Sequence, residues 1–508
     1  MGRRVNSVVA LVWLAACGVE DTVTAAPDTE VAPDTDAAAH TDAPTDSDPT
    51  PDTESAALDS GEPAWNTCSS AEPAGTCLGT ARCVDGHCLV DLDPGAPVAG
   101  DPVATWDALW SWLDTRYPLF AVQPVDWAAV REPTRAALAA ATTAFEVSRL
   151  LQEALTAITD GHVLTRDPAI CDVDHGYGDR RSNVGACLTE IDGELVVYLA
   201  DPGSGWEPGD RLLRIDGRAA PELLADRMAQ TTCVRAASTE AAARAGAVAS
   251  LLFRPNLGGE RAAWVERRGA VARIPLQSLV PRPCPGRVAP PGERDVGGGV
   301  RRADLDGGVV LLDLRELGAG TAEGFSDTPM IDAVLAQVDS LDSGTPLIID
   351  LRGNRGGYTS VMLALANRWL PDHTLLWSCA VRASDVPAMP PILPVYSVAV
   401  GPTDTRPVAI LLDALTYGSA ERVPWAMHTS GRALLVGSPS EGAFGTVYRI
   451  PIDGVVAYVN ADFCVDGAGL PLEGRGVPVD LPVTLQRADL EVGLDTVIEA
   501  ARVAVLGP

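Results

Sequence analysis

Three stretches of this chain hold groups whose types and spacing could do chemistry. Arg352-Gly353-Asn354-Arg355-Gly356-Gly357 is a glycine-rich turn between an apolar run, Leu347 to Ile349, and a helical pattern from Ser360 to Leu370. Its glycines allow positive φ and leave backbone N–H groups uncovered at the carboxyl end of a strand, just ahead of a helix N-terminus, so the place suits negative charge. The plain alternative is an ordinary strand-to-helix connection. Ser419 stands in a second turn, Leu415 to Glu421, after an apolar strand from Val408 to Leu412 and before a helix from Val423 onward. A serine there gains the helix N-terminal field and exposes its hydroxyl at the carboxyl edge of a sheet. As a purely structural residue it would be an N-cap. His162 follows a helix ending at Asp160-Gly161, where a neutral imidazole can accept a proton near pH 7. A second histidine, His428, lies nine residues beyond Ser419 and falls on the opposite face of its helix. The chain has no lysine, since all 38 basic residues are arginine, and a serine–lysine pair is therefore excluded within one subunit. A serine nucleophile would need another base, and such help is typically worth ~10²–10⁴-fold.

These groups must be positioned by a chain of 508 residues, long enough for two to four domains. From Thr105 to about Asp160 apolar residues recur at helical spacing, as in Trp106, Leu109, Trp110 and Leu113. A helical region is expected over 103–168. Val184 to Val280 alternates strands and turns, with Gly209-Asp210 opening a strand over Leu212 to Ile215 and Asp216-Gly217 turning it. Pro281 to Gly299 reads as a linker rich in Pro and Gly. From Val300 strands and helices alternate to the end, including a strand over Gly308 to Leu314 and a helix over Met330 to Leu341, which predicts an α/β domain over 300–508.

The N-terminal part places the rest. Arg3 and Arg4 precede an apolar stretch from Val8 to Ala16 that is too short to span a bilayer and has a secretory layout. It ends in Leu14-Ala15-Ala16-Cys17, which resembles the lipobox of bacterial lipoproteins, so residues 1–17 are expected to be a lipoprotein signal with Cys17 as the lipidated residue. Residues 18–64 hold thirteen acidic side chains and no basic one, a composition expected to remain an extended tether. Cys68, Cys77, Cys83 and Cys88 mark a small module, 65–92, that disulfides would staple; their spacing lacks a paired CxxC knuckle, and no metal is expected. Nearby pairs further on are Cys171 with Cys187 and Cys233 with Cys284, although spacing does not fix connectivity. A formal charge of −30 argues against nucleic acid as a partner.

The word DLRGNRGG resembles the motif that opens the catalytic centre of the C-terminal processing, or tail-specific, serine peptidases, in the branch that includes the tricorn core. The DGH word at Asp160 to His162 and PLEGRGVPVD at Pro471 to Asp480 are similar to further family words, and the likeness covers roughly Thr105 to the end. The resemblance implies a crotonase-like ββα spiral in the α/β catalytic domain, with the helical region before it. It also implies an inserted PDZ-like domain over 182–280 that takes a polypeptide's C-terminus by strand addition. It implies Ser419 as nucleophile, His162 as base and Glu473 as the acid that orients the outer part of the site, with Glu421 and Asp350 as alternative acids. The oxyanion hole would come from Gly356 or Gly357 together with Ala420. Two departures stand beside it. The family places its serine three residues before the acid that is Glu421 here, which is Gly418, and where many relatives carry a lysine this chain has Ala443. The expected function is a lipid-anchored serine endopeptidase of the bacterial cell envelope, without a cofactor, acting on unfolded or C-terminally exposed polypeptides. The alternative is an inactive peptidase fold that binds peptides or another ligand.

Overall fold

The computed structural model describes residues 81–84, 87–90, 98, 100–123, 125–165, 182–229, 237–254, 261–276, 284, 286–321, 324–381, 392–450, 452 and 457–507. Cys17, the signal and tether, and Cys68, Cys77, Cys171 and Cys233 lie outside them. The described residues all belong to one compact unit, 63–508. Its first element is an antiparallel hairpin, Ala81–Val84 with His87–Val90, whose register pairs residue 83 with residue 88.

The helical region forms as its periodicity predicts. Helices α1 (Pro102–Arg116), α2 (Trp127–Ala140) and α3 (Ala144–Leu155) are capped by Asp101, Asp126 and Thr143 in turn. Each cap side chain accepts a first-turn N–H that has no partner within the helix. Trp106, Leu109, Leu113, Trp127 and Leu155 pack into one core with Ala457, Val459 and Phe463 from the far end of the chain. The link continues as a ladder, because Leu164–Thr165 pairs antiparallel with Ala457–Asn460. His162, two residues before that ladder, is thereby fixed to the C-terminal part of the chain.

Next comes a mostly antiparallel sheet of β1 (Ala186–Ile191), β2 (Glu194–Ala200), β3 (Arg211–Ile215), β4 (Arg261–Arg267) and β5 (Ala270–Leu276), in the order β5-β4-β3-β2-β1. Helices α4 (Ala220–Ala229) and α5 (Glu240–Ser250) close its core over Leu212, Ile215, Val265 and Ile274.

The third part is a seven-stranded sheet. Arg294–Asp295, β6 (Val300–Leu305) and β7 (Val309–Leu314) run antiparallel; β7, β8 (Leu347–Asp350), β9 (Val408–Leu412), β10 (Leu434–Gly437) and β11 (Leu481–Pro482) then run parallel. Strands β8 and β9 are buried along their whole length, which is why Leu347 to Ile349 and Val408 to Leu412 are unbroken apolar runs rather than alternating ones. Helices α6 (Thr328–Asp339), α7 (Thr359–Trp369) and α8 (Ser419–Thr429) cover one face through Val334, Leu365, Trp369 and Val423. The final helix α9 (Thr496–Leu506) packs on the other face with Ile348, Ala409 and Val436. The mixed α/β class expected from the sequence is thus present.

Two expectations are corrected. Helix α8 begins at Ser419, not at Val423, because Gly418 turns the chain at φ +69° and ψ −135° and the Glu421 carboxylate accepts its N–H. Cys187 bonds to Cys284, with Cα atoms 5.5 Å apart, and Cys379 bonds to Cys464 across paired strands. The sheet carries Cys187 to the linker cysteine 97 residues away, so the nearby pairings of Cys187 with Cys171 and of Cys284 with Cys233 do not form. Among the described residues no helix is long and apolar enough to cross a membrane.

Candidate active site

The two turns named from the sequence meet at the carboxyl ends of β8 and β9. Gly353 N–H donates to the Asp413 carboxylate at 2.9 Å, Thr416 Oγ1 donates to the Leu351 carbonyl at 2.9 Å, and Tyr417 N–H donates to the Asn354 carbonyl at 3.0 Å. The glycine-rich turn is held from below by Arg352, which is buried. Its guanidinium donates to Asp350 at 2.7 and 3.0 Å and to both oxygens of Asp495, the N-cap of α9, at 3.1 Å. Burial pushes the Asp350 carboxyl up, but the charge and hydrogen bonds of Arg352, with the charge of Arg287, reverse this and hold it below the usual value. Asp350 is therefore a structural anion beneath the turn rather than an acid of the site.

At the top of that turn Gly356 has φ +79° and Gly357 φ +134°. A Cβ on Gly357 would lie 2.4 Å from the Leu317 carbonyl oxygen, so only glycine lets the turn pass this close to its neighbour. The Gly356 N–H donates to Asn354 Oδ1 at 2.8 Å. The Ser419 hydroxyl, on a residue only 7% exposed, donates to the Gly357 carbonyl at 2.8 Å.

Gly418 stands between the turns. Its N–H is shared by the Ala443 carbonyl at 2.8 Å and Glu421 at 3.0 Å. A Cβ built on Gly418 would lie 3.6 Å from His162 Nε2 and 3.7 Å from Gly356 Cα. The imidazole thus faces residue 418.

His162 is itself held from behind. Asp160 accepts from its backbone N–H at 2.8 Å, from Asn460 Nδ2 at 2.7 Å and from the Tyr117 hydroxyl, and Asp160 Oδ1 lies 3.8 Å from His162 Nδ1. Burial, then the charge of Asp160 and its hydrogen bond, raise the Tyr117 phenol well above its usual value. Asp160, Tyr117 and Asn460 are site residues that the sequence analysis does not single out; the position of Asp160 two residues before the histidine is the one local signal for any of them. At Gly161, the residue between, a Cβ would sit 2.3 Å from Glu441 Oε1, so a side chain there would have to displace the end of the Glu441 side chain.

Glu473 reaches the same place. It is buried rather than solvated, and the Phe444 N–H is the one donor that favours its charged form. Desolvation, followed by the charges of Asp160 and Glu421, raises its carboxyl well above the ordinary range. Asp160, His162 and Glu473 each bring a ligand atom within 4.8 Å of the others, a donor set that could also hold a small divalent cation. Cys379, Asp462 and Cys464 are gathered as closely, but both sulfurs are joined in a disulfide.

The remaining candidates have other roles. Glu421 accepts from the N–H groups of Gly418, Gly442 and Ala443 and from the Ser440 hydroxyl, so it clasps the 440–443 loop to the start of α8. Burial is the main cause that pushes its carboxyl up to about 7. His428 pairs with Asp480 at 3.1 Å, at the far end of α8.

Comparison with known proteins relates part of the chain to a peptidase family. Residues 318–483, which include both turns and Glu473 but not His162, match the model of peptidase family S41. A carboxyl-terminal-processing protease of Picosynechococcus sp. is 26% identical over 106 residues, 20% of this chain. The match spans about a quarter of that protein's length, 24%. Mature CPAF superposes with a TM-score of 0.62 at 15% identity, over 80% of this chain and 96% of its own. Mature CPAF complexed with lactacystin gives 0.60 at 14%, over 80% and 97%. At such identities the CPAF likeness speaks for the fold alone. Residues 318–483 are thus similar to peptidase family S41, and the chain shares the fold of CPAF.

Proposed function

We propose that this chain takes extended polypeptide segments into the cleft between the Gly356-Gly357 turn, the N-terminus of α8 and His162. The observation that carries the reading is the convergence at residue 418, where a base and a glycine turn from distant parts of the chain come within 3.6 and 3.7 Å of one Cβ position. A peptide carbonyl lying there would have the Gly357 and Ala420 N–H groups as its oxyanion donors, because the Gly356 N–H is already engaged by Asn354. Glu473 would steady the outer face of His162. The 182–280 region acts as the PDZ-like captor of a free C-terminus, and the 300–508 region follows the crotonase-like spiral. Cys17 is the lipid anchor, and the acidic tether carries the protein away from a bacterial envelope membrane.

A second reading makes the protein an acyl-enzyme peptidase with Ser419 as nucleophile. Its support is the position of Ser419 Oγ beside the glycine turn, 2.8 Å from the Gly357 carbonyl; attack would require that hydrogen bond to be exchanged for one to His162. Fluorescence anisotropy with a panel of labelled, unstructured peptides, each with a free and an amidated C-terminus, tests the shared part of both readings. Saturable binding that favours the free terminus is expected. Absence of saturable binding across the panel refutes polypeptide capture. Membrane fractionation of Cys17→Ala tests the anchor: the variant should become soluble, and an unchanged membrane partition refutes lipidation at Cys17.

A further inference from the structure

We infer that Gly418 occupies the nucleophile's place in this cleft, so that the chain as it stands holds polypeptide without cutting it. The inference rests on the capture reading and deepens it, by assigning the site a receptor's role.

The geometry is specific to residue 418. A side chain there would start 3.6 Å from His162 Nε2, and one further C–O bond directed at the ring brings a hydroxyl within hydrogen-bond distance of that nitrogen. The same Cβ would sit 3.7 Å from Gly356 Cα, beside the turn that would receive a carbonyl oxygen. The backbone at 418, φ +69° and ψ −135°, is a sharp strand-to-helix turn of the kind that lifts a side chain clear of the sheet edge. The turn is held on both sides, by the Ala443 carbonyl and by Glu421, so the presenting scaffold is intact while the residue it presents carries no side chain. The Ser419 hydroxyl beside it is directed to the Gly357 carbonyl.

The test installs the missing group. Gly418→Ser and Gly418→Ala impose the same strained backbone, and they differ only in the hydroxyl. Each is treated with a fluorophosphonate probe and assayed on peptides that the wild type binds. In Gly418→Ser the hydroxyl oxygen should attack phosphorus, the P–F bond should break, fluoride should leave, and the hydroxyl proton should pass to His162 Nε2. Expected results are labelling at position 418 by peptide mass spectrometry and a gain of peptide cleavage in Gly418→Ser. Wild type and Gly418→Ala should show neither. Adding His162→Ala to Gly418→Ser should lower labelling and turnover by ~10²–10⁴-fold, the usual extent of general-base assistance.

Labelling of wild type at Ser419, or wild-type cleavage lost in Ser419→Ala, overturns the inference and favours the acyl-enzyme reading. A Gly418→Ser protein that melts with Gly418→Ala and binds peptide, yet is neither labelled nor active, also overturns it. Should both variants fail to fold, the wild-type arm decides: peptides bound but not cut support the inference, and Ser419-dependent cutting ends it. If no peptide binds, polypeptide capture fails, while the labelling arm, which needs no peptide, still judges position 418.

Discussion

Arg352→Met should destabilise the protein strongly and in a pH-dependent way. The guanidinium is buried and donates to two buried carboxylates, those of Asp350 and Asp495. Methionine fills much of the volume but leaves both anions without their main cation. Asp495 retains the N–H groups of Val288, Val497 and Ile498, and Asp350 retains Arg287, whose Nε lies 3.8 Å away. Removing one partner of a buried pair typically costs about 3–5 kcal/mol, and the residual contacts place the expected loss within that range at pH 7. The pH arm follows from the sign of the shift. The folded Asp350 carboxyl lies below its unfolded value of 3.8, so its contribution is present above that value and is lost as pH falls through the folded one. In the variant the largest lowering causes, the charge and side-chain hydrogen bonds of Arg352, are gone while burial and the smaller effect of Arg287 remain, so the carboxyl moves up and protonates more readily as the solution is acidified. The mutational loss should therefore shrink from pH 7 to pH 5. Urea midpoints at a constant m-value, followed by tryptophan fluorescence, measure both effects, and Asp350→Asn in the Arg352→Met background should recover part of the loss. A loss below about 1 kcal/mol at pH 7, or one that does not change with pH, refutes the argument.

Two further perturbations probe the same site. Asp160→Asn replaces one carboxylate oxygen by an amide N–H₂, which faces either the Tyr117 and Asn460 donors or the His162 N–H, and should cost about 1–3 kcal/mol by urea midpoint. In the Gly418→Ser background it should also lower turnover, because the carboxylate charge behind His162 Nδ1 is lost. Glu421 has its folded carboxyl raised from 4.5 to about 7, so its contribution is complete below about 4.5 and is lost as pH rises through about 7. Wild-type stability should fall between pH 5 and pH 8, and Glu421→Gln, though less stable throughout, should flatten that slope. A slope kept in Glu421→Gln assigns it to other groups.

The elements were readable where one physical cause dominated. Val408 to Leu412 is a strand with the expected limits, because burial on both faces demands an apolar residue at every position. Helix α7 begins one residue before the expected Ser360 and ends one before Leu370, since its apolar spacing is regular. Helix α8 starts four residues earlier than expected. Pro424 suits the second position of a helix beginning at Val423, whereas in the fold it is the sixth position of one beginning at Ser419. What moves the start is Glu421, which reaches back to the Gly418 N–H and forward to Gly442 and Ala443. Tertiary closure of this sort leaves no periodic trace. The carboxylate that holds His162 is hidden for the same reason: Asp160 meets Tyr117 from 43 residues before it and Asn460 from 300 residues after it.

The start of α8 matters because it decides which residue presents a side chain to the imidazole. Along a helix each residue turns about 100° from the last, so a hydroxyl moved by one position is not displaced along the cleft but redirected away from it. Spacing alone left Gly418 and Ser419 as near equivalents. With Gly418 as the N-cap, the direction toward His162 Nε2 belongs to residue 418, and the Ser419 hydroxyl points to the Gly357 carbonyl. Were the first turn of α8 to unwind so that Ser419 took the direction of residue 418, more than its own bond to Gly357 would change. That movement would break the Gly418 contacts to Ala443 and Glu421, and it would pull the clasp from Gly442 and Ala443 as well. The Glu421 clasp is buried, and each donor left unsatisfied there costs about 1–3 kcal/mol. The same bonds that hold Gly418 in its turn thus oppose bringing Ser419 into the direction that residue 418 takes.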